Sequence, residues 1–513
     1  MHRKTPAAAL AVATTTSLLL APQAHAQPQS QFAAQEIQWQ QCFPEPPPGA
    51  PPGTERLECG SFTAPMDWNN QRNGKTITIA VSRLRPKTGT AKSTVFTNPG
   101  GPGGPGRTVP LIYLDRPKLS ENADIIGIDV RGTGASSNVT CGGFTPDGQT
   151  DPRDRSKANL DLIYGAMELH AEFCQARSGE LGRYITTDQT VKDLDLLRQV
   201  LGKKKVSWLG YSGGTWMGAY YATYFPKTLD RIVLDSNVEF TAPWQNHFDD
   251  WGMAFERRFR VDFLPWVAKY DDVYHLGKTG EGVRQAYERT RARLAEQPVT
   301  RPEGVYTAQA LDLMLRTALY SKDAFAGAAQ TFAELAGAVP ARMSALATYP
   351  DAQTGTGYSI LCNDTPFQGG RKYLERDAAR DGAKWPLVGY TQIAGPCAFW
   401  DRPDVKLKQP TGIGVAPTLM VQSVRDPATS LEAGQKAHRN FTSSVLLTVE
   451  DEGDHGIYGF GNECVNDIVE RYLVDGVTPA KDLSCPGVPL PAPGETAGNP
   501  LAKARQISTQ LGW

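Results

Sequence analysis

Gly210-Tyr211-Ser212-Gly213-Gly214 decides how this chain is read. An apolar, β-compatible run, Val206-Ser207-Trp208-Leu209, leads into it, and the residues from Thr215 to Phe225 read as a helix. A serine held between glycines on a strand-to-helix turn has the geometry of a nucleophile elbow. Such a turn needs small flanking residues because it is strained and neighbouring chain passes close to it. Ser212 is therefore expected at the carboxyl edge of a sheet, with the Gly213 amide facing an incoming carbonyl.

Working outward, the surrounding pattern is that of a parallel sheet. Thr76 to Leu84 alternates with period two, the mark of a strand. Thr94 to Thr97 is a short strand that runs into a glycine- and proline-rich loop. Ala123 to Val130 is a nearly continuous apolar run, as a strand covered on both faces should be. Asp188 to Leu201 sets Val191, Leu194, Leu197, Val200 and Leu201 at helical spacing, and Lys204 to Leu209 and Arg231 to Asp235 read as strands. Strands alternating with helices in this way predict a doubly wound, mostly parallel sheet, which with the elbow is the α/β-hydrolase fold.

From Ser236 to about Gly414 the alternation stops. Trp251, Phe255, Phe259 and Phe263 repeat every fourth residue, and Thr307 to Tyr320 and Ala324 to Leu346 look helical. This stretch reads as a large, mainly helical cap insertion, with the four rings in its core. Alternation resumes with a strand at Ala416 to Gln422, a helix at Leu431 to Arg439, a strand at Val445 to Val449 and a helix at Cys464 to Leu473 before a Pro/Gly-rich tail. Residues 27–60 read as an N-terminal extension. The expected division is a leader at 1–26, the sheet domain at 27–235 and 415–513, and the cap at 236–414.

Met1-His2-Arg3-Lys4, an apolar stretch to about Leu20 and Ala24-His25-Ala26 have the form of a secretory signal peptide cleaved after Ala26. Secretion is the expectation. No later run approaches the roughly 18 apolar residues that a membrane span needs. Cleavage would remove Arg3 and Lys4, and no acid, from a chain of formal net charge −1. Neither a nucleic acid nor an anionic membrane surface is indicated as partner by that balance. The eight cysteines all follow the leader and include no C-x-x-C, which favours disulfides over metal ligation. Proximity in sequence suggests the pairs Cys42–Cys59, Cys141–Cys174, Cys362–Cys397 and Cys464–Cys485.

A serine hydroxyl is a weak nucleophile and needs a base, itself oriented by a carboxylate. After the leader the histidines are His170, His247, His275, His438 and His455. His455 stands in Glu452-Gly-Asp-His-Gly456, just beyond a late strand, where the base of this fold belongs. Asp426, in Ser423-Val-Arg-Asp-Pro-Ala428, follows the preceding strand and is the expected acid; Asp451 and Asp454 share the histidine's own short loop and are badly placed to hold its Nδ1. Gly213 N–H is one expected oxyanion donor. The other is expected from Asn98-Pro-Gly-Gly-Pro-Gly-Gly-Pro-Gly106, with Gly100 favoured and Gly101 close behind. That loop lacks the lysine and spacing of a P-loop. Arg131-Gly-Thr-Gly-Ala-Ser136 reads as a supporting turn. No metal or organic cofactor is required.

Together Asn98 to Gly104, Asp129 to Ser136, Gly210 to Thr215, Arg425 to Ala428, Gly453 to Gly456 and the late Cys464 resemble the secreted tripeptidyl aminopeptidases, relatives of the proline iminopeptidases within the α/β-hydrolases. The resemblance covers residues 60 to 490 in order. It implies Ser212, Asp426 and His455 as a triad, a helical cap over the site, and release of short peptides from free peptide or protein N-termini. Two positions depart from the family pattern. Gly213 stands where an aromatic residue is usual, and Asp426-Pro-Ala-Thr-Ser430 lacks the proline that usually closes the acid loop. An aminopeptidase also needs a carboxylate for the substrate's α-amine, and Asp364, Glu239 and Glu256 are candidates. A carboxylesterase on the same triad, or a non-catalytic hydrolase fold used for binding, are the alternative readings. The sequence leaves the oligomeric state open.

Overall fold

The computed structural model describes His2 and residues 31–46, 48–143, 150–302, 304–340, 350–393 and 395–495. Apart from His2, the leader read at 1–26 lies outside the described residues. The strands in chain order are β1 (Gln40–Gln41), β2 (Leu57–Pro65), β3 (Thr76–Leu84), β4 (Ser93–Asn98), β5 (Ala123–Ile128), β6 (Val206–Tyr211), β7 (Leu229–Asp235), β8 (Val299–Arg301), β9 (Gly304–Tyr306), β10 (Thr418–Ser423), β11 (Ser444–Glu450) and β12 (Leu483–Pro486). All but β8 and β9 form one sheet, ordered β1-β2-β3-β5-β4-β6-β7-β10-β11-β12. Pairings from β5 through β12 are parallel. At the other end β1, β2, β3 and β5 pair antiparallel. The fold is that of an α/β-hydrolase.

β6 shows why this sequence makes a central strand. All its residues are buried, and successive side chains point to opposite faces. Val206 and Trp208 enter one apolar core, with Trp216 and Met217 of the helix Gly213–Tyr224 and Val191, Leu194 and Leu197 of the helix Thr187–Val200. Leu209 and Tyr211 enter the opposite core, with Val465, Val469 and Leu473 of the helix Glu463–Leu473. The sheet is thus covered on both faces, as parallel strands require.

The chain leaves β4 for β5 on one side, whereas β6 docks on the other side of β4. Connections that diverge in this way open a crevice at the strands' carboxyl ends, where ligands bind in open α/β sheets. The glycine-rich loop after β4 and Ser212 after β6 both fall there.

Between β7 and β10 the chain is mainly helical, the short antiparallel hairpin of β8 and β9 being the exception. Phe255, Phe259 and Phe263 pack with Tyr287, Leu311 and Phe332 in a separate apolar core. Trp251 sits at its margin and donates its indole N–H to Ala428 O, 2.8 Å away in the sheet domain. The four expected disulfides are all present. Among the described residues no helix is long and apolar enough to cross a membrane.

Candidate active site

Ser212 has φ 54° and ψ −124° at the start of the helix Gly213–Tyr224. A residue with a Cβ pays on the order of 1–3 kcal/mol to sit there, and such strain clusters at functional sites. Flanking groups hold it: Ser212 N–H donates to Asp235 O at 3.0 Å, and Ser212 O accepts from Thr215 N at 2.8 Å and Thr215 Oγ1 at 2.6 Å. The loop after β4 lies directly over the elbow. Gly100 has φ 89°, and a Cβ on it would collide with Tyr211 O and stand 2.8 Å from Gly213 N and from Ser212 Cβ.

The same contact corrects one expectation. Gly100 N–H already donates to Asn98 Oδ1 at 2.9 Å in a buried bond, so it is not available to an incoming oxygen. Gly101 lines the cleft instead, and its N–H has no acceptor among the described residues. A Cβ on Gly213 would lie 3.1 Å from Pro102 N and 3.3 Å from Gly101 N. Glycine at 213, the departure noted above, therefore lets the loop settle closely against the helix start. At its far end the loop is tied to Asp129, whose carboxylate accepts from Gly106 N (2.7 Å), Arg107 N (3.0 Å) and Arg107 Nε (2.7 Å). Arg131 is a buried anchor, paired with Asp193 through Nε (2.6 Å) and Nη2 (2.7 Å).

His455 and Asp426 come from the loops after β11 and β10. His455 Nδ1 lies 3.0 Å from both carboxylate oxygens of Asp426. Asp426 is fully buried and accepts from Ala428 N (2.9 Å), Thr429 N (2.9 Å) and Thr429 Oγ1 (2.8 Å). Burial alone would raise its carboxyl; the charge and hydrogen bond of His455, with the Thr429 donors, outweigh it and hold the group below the usual carboxylate range. Ser430, where the family pattern has proline, caps the next helix by accepting from Ala433 N at 3.0 Å. That helix keeps a defined start without the proline.

The backbone of the histidine loop is fixed by groups the sequence reading did not single out. Asp235, at the end of β7, accepts from Ile457 N (3.0 Å) and Tyr458 N (2.7 Å), and Ser236 Oγ accepts from Gly456 N (2.7 Å). Burial pushes the Asp235 carboxyl up to about 6 despite those donors. Across the cleft, Tyr320 O accepts from His455 N at 2.9 Å, and the Tyr320 ring meets the imidazole edge-on at 5.2 Å. His247 lies nearby, and burial, reinforced by His455, pushes it down to about 3.

Ser212, His455, Gly101 and Tyr211 line one cleft of about 800 Å³ between the sheet edge and the helical insertion. That volume suits a short extended ligand. None of the three amine-binding candidates reaches it. Asp364 is buried and accepts from Thr187 N (2.8 Å) and Thr187 Oγ1 (2.6 Å) at the start of the helix Thr187–Val200. Glu239 is bonded to Thr241, and Glu256 to Arg260 and Leu387 N. The acids that do line the cleft are Asp249, Asp323, Asp377 and Asp381, against Arg316 as the one cation among the described lining residues. Loss of solvent, with Asp250 and Asp377 adding to it, holds the Asp249 carboxyl above its usual range. Pattern reading missed these residues because a helical insertion without strand register gives no hint of which face meets the cleft.

A parallel sheet with a strained serine at its switch point and a carboxylate-held imidazole lining the same cleft belongs to the α/β-hydrolases, and a family model for the alpha/beta hydrolase fold matches residues 94–269. A second, described as TAP-like protein, matches residues 385–485. The tripeptidyl aminopeptidase of Streptomyces lividans is 34% identical over 89% of this chain and 88% of its own length, and that of Streptomyces coelicolor is 34% identical over 89% and 87%. Serine protease Hip1 of Mycobacterium tuberculosis is 27% identical over 88% and 91%. The chain belongs to the tripeptidyl aminopeptidase-like family of α/β-hydrolases and is a serine hydrolase of the peptidase kind.

Proposed function

We propose that this protein is a secreted aminopeptidase that releases short peptides, tripeptides foremost, from free N-termini through an acyl-enzyme on Ser212. Ser212 Oγ attacks the scissile carbonyl while His455 takes its proton through Nε2. Asp426 holds Nδ1 and stabilises the imidazolium that forms. The Gly101 and Gly213 amides receive the developing oxyanion. His455 then protonates the departing amine, and water, activated by the same imidazole, releases the peptide and restores Ser212.

One observation carries this reading. The Asp426 carboxylate sits symmetrically on His455 Nδ1 at 3.0 Å, and His455 and Ser212 face the same cleft. The acids at the cleft wall support a cationic substrate end, with Asp249 and Asp377 the proposed holders of the α-amine. Secretion is supported by four disulfides and by the character of residues 1–26.

The test compares a tripeptide anilide bearing a free amine with its N-blocked analogue and with a p-nitrophenyl ester. The free-amine tripeptide should be turned over fastest, and Ser212→Ala should abolish turnover of it. Preference for the blocked peptide or the ester would replace this reading with a carboxylesterase, a name carried by a 25% identical relative from Mycobacterium tuberculosis. Failure of Ser212 to react with a fluorophosphonate would leave only a binding role.

A further inference from the structure

Six charged side chains meet where the helical insertion touches the acid and histidine loops. Arg258 and Asp262, from the segment after Trp251, and Lys322 belong to the insertion; Arg425, Glu452 and Asp454 belong to the sheet domain, next to Asp426 and His455 in sequence. Arg258 bridges Asp262 Oδ2 (2.6 Å) and Asp454 Oδ1 (2.6 Å), and Arg425 Nε reaches Asp262 Oδ2 at 2.9 Å. Lys322 Nζ pairs with Glu452 Oε2 at 2.7 Å, and its backbone N–H donates to Asp454 Oδ1 at 2.8 Å. Arg258 is 1% exposed at its side chain, Glu452 3% and Lys322 7%.

Charges this deeply buried are weak contributors to stability, since desolvation offsets their attraction. Their value lies in fixing geometry. Each cation has an acid partner within the cluster, and Arg425 also reaches the exposed Asp451 (3.4 Å) at its rim. Gly453 gives a second, independent sign: a Cβ there would strike Arg258 Nη1 and stand 2.5 Å from Arg258 Cζ. The guanidinium therefore lies flat against the backbone of the histidine loop, in space that only glycine leaves free.

We infer that Arg258, Lys322 and Asp454 are positioning residues that fasten the helical insertion to the histidine loop, so that the insertion itself sets the imidazole of His455. On this view the insertion does not swing clear at this edge during turnover. The inference rests on the proposed role of His455 as base, and its test separates the two. Fluorophosphonate labelling of Ser212 needs the base but no peptide amine. Wild type should label and His455→Ala should not; if His455→Ala labels normally, the base assignment fails before the cluster is examined.

With that established, Asp454→Asn and Arg258→Met should each slow labelling and lower kcat by about 10–100-fold, the cost of misplacing a catalytic group slightly. KM should stay within about twofold, as expected when ground-state binding is untouched. The Arg258→Met/Asp454→Asn double variant should be no slower than the slower single one, because both break one link. Gly453→Ala keeps every charge while displacing the guanidinium and should reproduce the loss; it answers the question even where Asp454→Asn fails to fold. Arg291→Met, which breaks a buried pair with Asp312 (2.9 Å) inside the insertion and a second with Asp151 of the sheet domain (2.5 Å), neither acid being on the histidine loop, should lower the melting temperature yet label at the wild-type rate. Labelling that falls equally in Arg291→Met, or that stays at the wild-type rate in folded Gly453→Ala, would overturn the inference.

Discussion

Gly100 and Gly213 are neighbours across the elbow, yet substitution should affect them very differently. An alanine at 100 faces both a left-handed φ of 89° and a collision with the Tyr211 carbonyl, which as backbone has no room to move. Gly100→Ala should cost about 3 kcal/mol or more of stability and most of the activity. An alanine at 213 meets Pro102 N at 3.1 Å with an ordinary φ, so Gly213→Ala should fold and lose activity only about tenfold, through displacement of the Gly101 donor. Thermal melts and kcat measured on both variants check the contrast; equal damage would show that the loop does not rest on the elbow as described. Asp426→Asn should preserve the fold, since an amide can still accept from the 428–429 backbone, while kcat falls about 10⁴-fold as the imidazole loses its orienting carboxylate. Ser212, Asp426 and His455 can be proposed from the sequence because each sits in a local signature of glycines or a strand end. Gly101 stands close behind Gly100 in that reading, whereas Asp235 and Tyr320 are not singled out: their parts are played by backbone groups or toward backbone groups, and any residue type can offer a carbonyl. Asp249→Asn belongs at this scale as well, and should raise KM for the free-amine tripeptide about tenfold with kcat unchanged. An unchanged KM would remove Asp249 from the proposed amine subsite.

Among the elements, β3, β4, β5, β6, β7, β10 and β11 announced themselves by alternation or by continuous apolar runs, because a strand buried on one or both faces has no freedom to vary that pattern. β2 did not. Its sequence, Leu57-Glu-Cys-Gly-Ser-Phe-Thr-Ala-Pro65, mixes Gly, Cys and Pro with the apolar residues, and near the sheet edge that is tolerated. The stretch read as an extension at 27–60 therefore supplies β1 and the first part of β2. The helix Lys157–Gly182 was missed for the opposite reason. Leu160, Ile163, Tyr164, Met167, Ala171 and Cys174 line its buried face, but exposed Leu162, Leu169 and Phe173 blur the period. β12, four residues long, pairs among the described residues with β11 alone and is stapled to the helix Glu463–Leu473 by Cys464–Cys485. The double variant Cys464→Ser/Cys485→Ser should lose about 3 kcal/mol, the entropy of closing that short loop in the unfolded chain. Denaturant unfolding checks this, and a change below about 0.5 kcal/mol would mean that strand pairing alone holds β12 in place.

Over the whole molecule, buried carboxyls tie the insertion to the sheet domain, and they predict how stability depends on pH. Asp364, at the end of the helix Asp351–Asp364, accepts from the first turn of the helix Thr187–Val200, so it joins the two regions. Burial pushes its carboxyl up to about 7, against the lowering effect of the Thr187 donors; Asp235 is raised to about 6, chiefly by burial. In the unfolded chain such groups release their protons near pH ~3.9. Between about pH 4 and 7 the folded protein therefore holds protons that the unfolded chain has lost, and stability must fall as pH rises through that window. Asp426 and His247 act in the opposite sense. The lowered Asp426 carboxyl contributes stability above about pH 3.9 that is lost only as pH falls through its folded value. His247, held down to about 3 by burial, costs stability as pH falls below its unfolded value of ~6.5, a smaller effect between pH 5 and 7.5 than that of the raised carboxyls together. The melting temperature should accordingly be higher at pH 5 than at pH 7.5. Asp364→Asn removes the largest of the raised groups while keeping its shape: the amide oxygen can accept from Thr187 N, and its NH₂ can donate to Thr187 Oγ1. The variant should melt with a visibly flatter pH dependence between 5 and 7.5 and gain on wild type toward the upper end. If its profile is parallel to that of wild type, Asp364 is ionised in the fold throughout that range, and the junction between insertion and sheet is an ordinary charged helix cap rather than a protonated one.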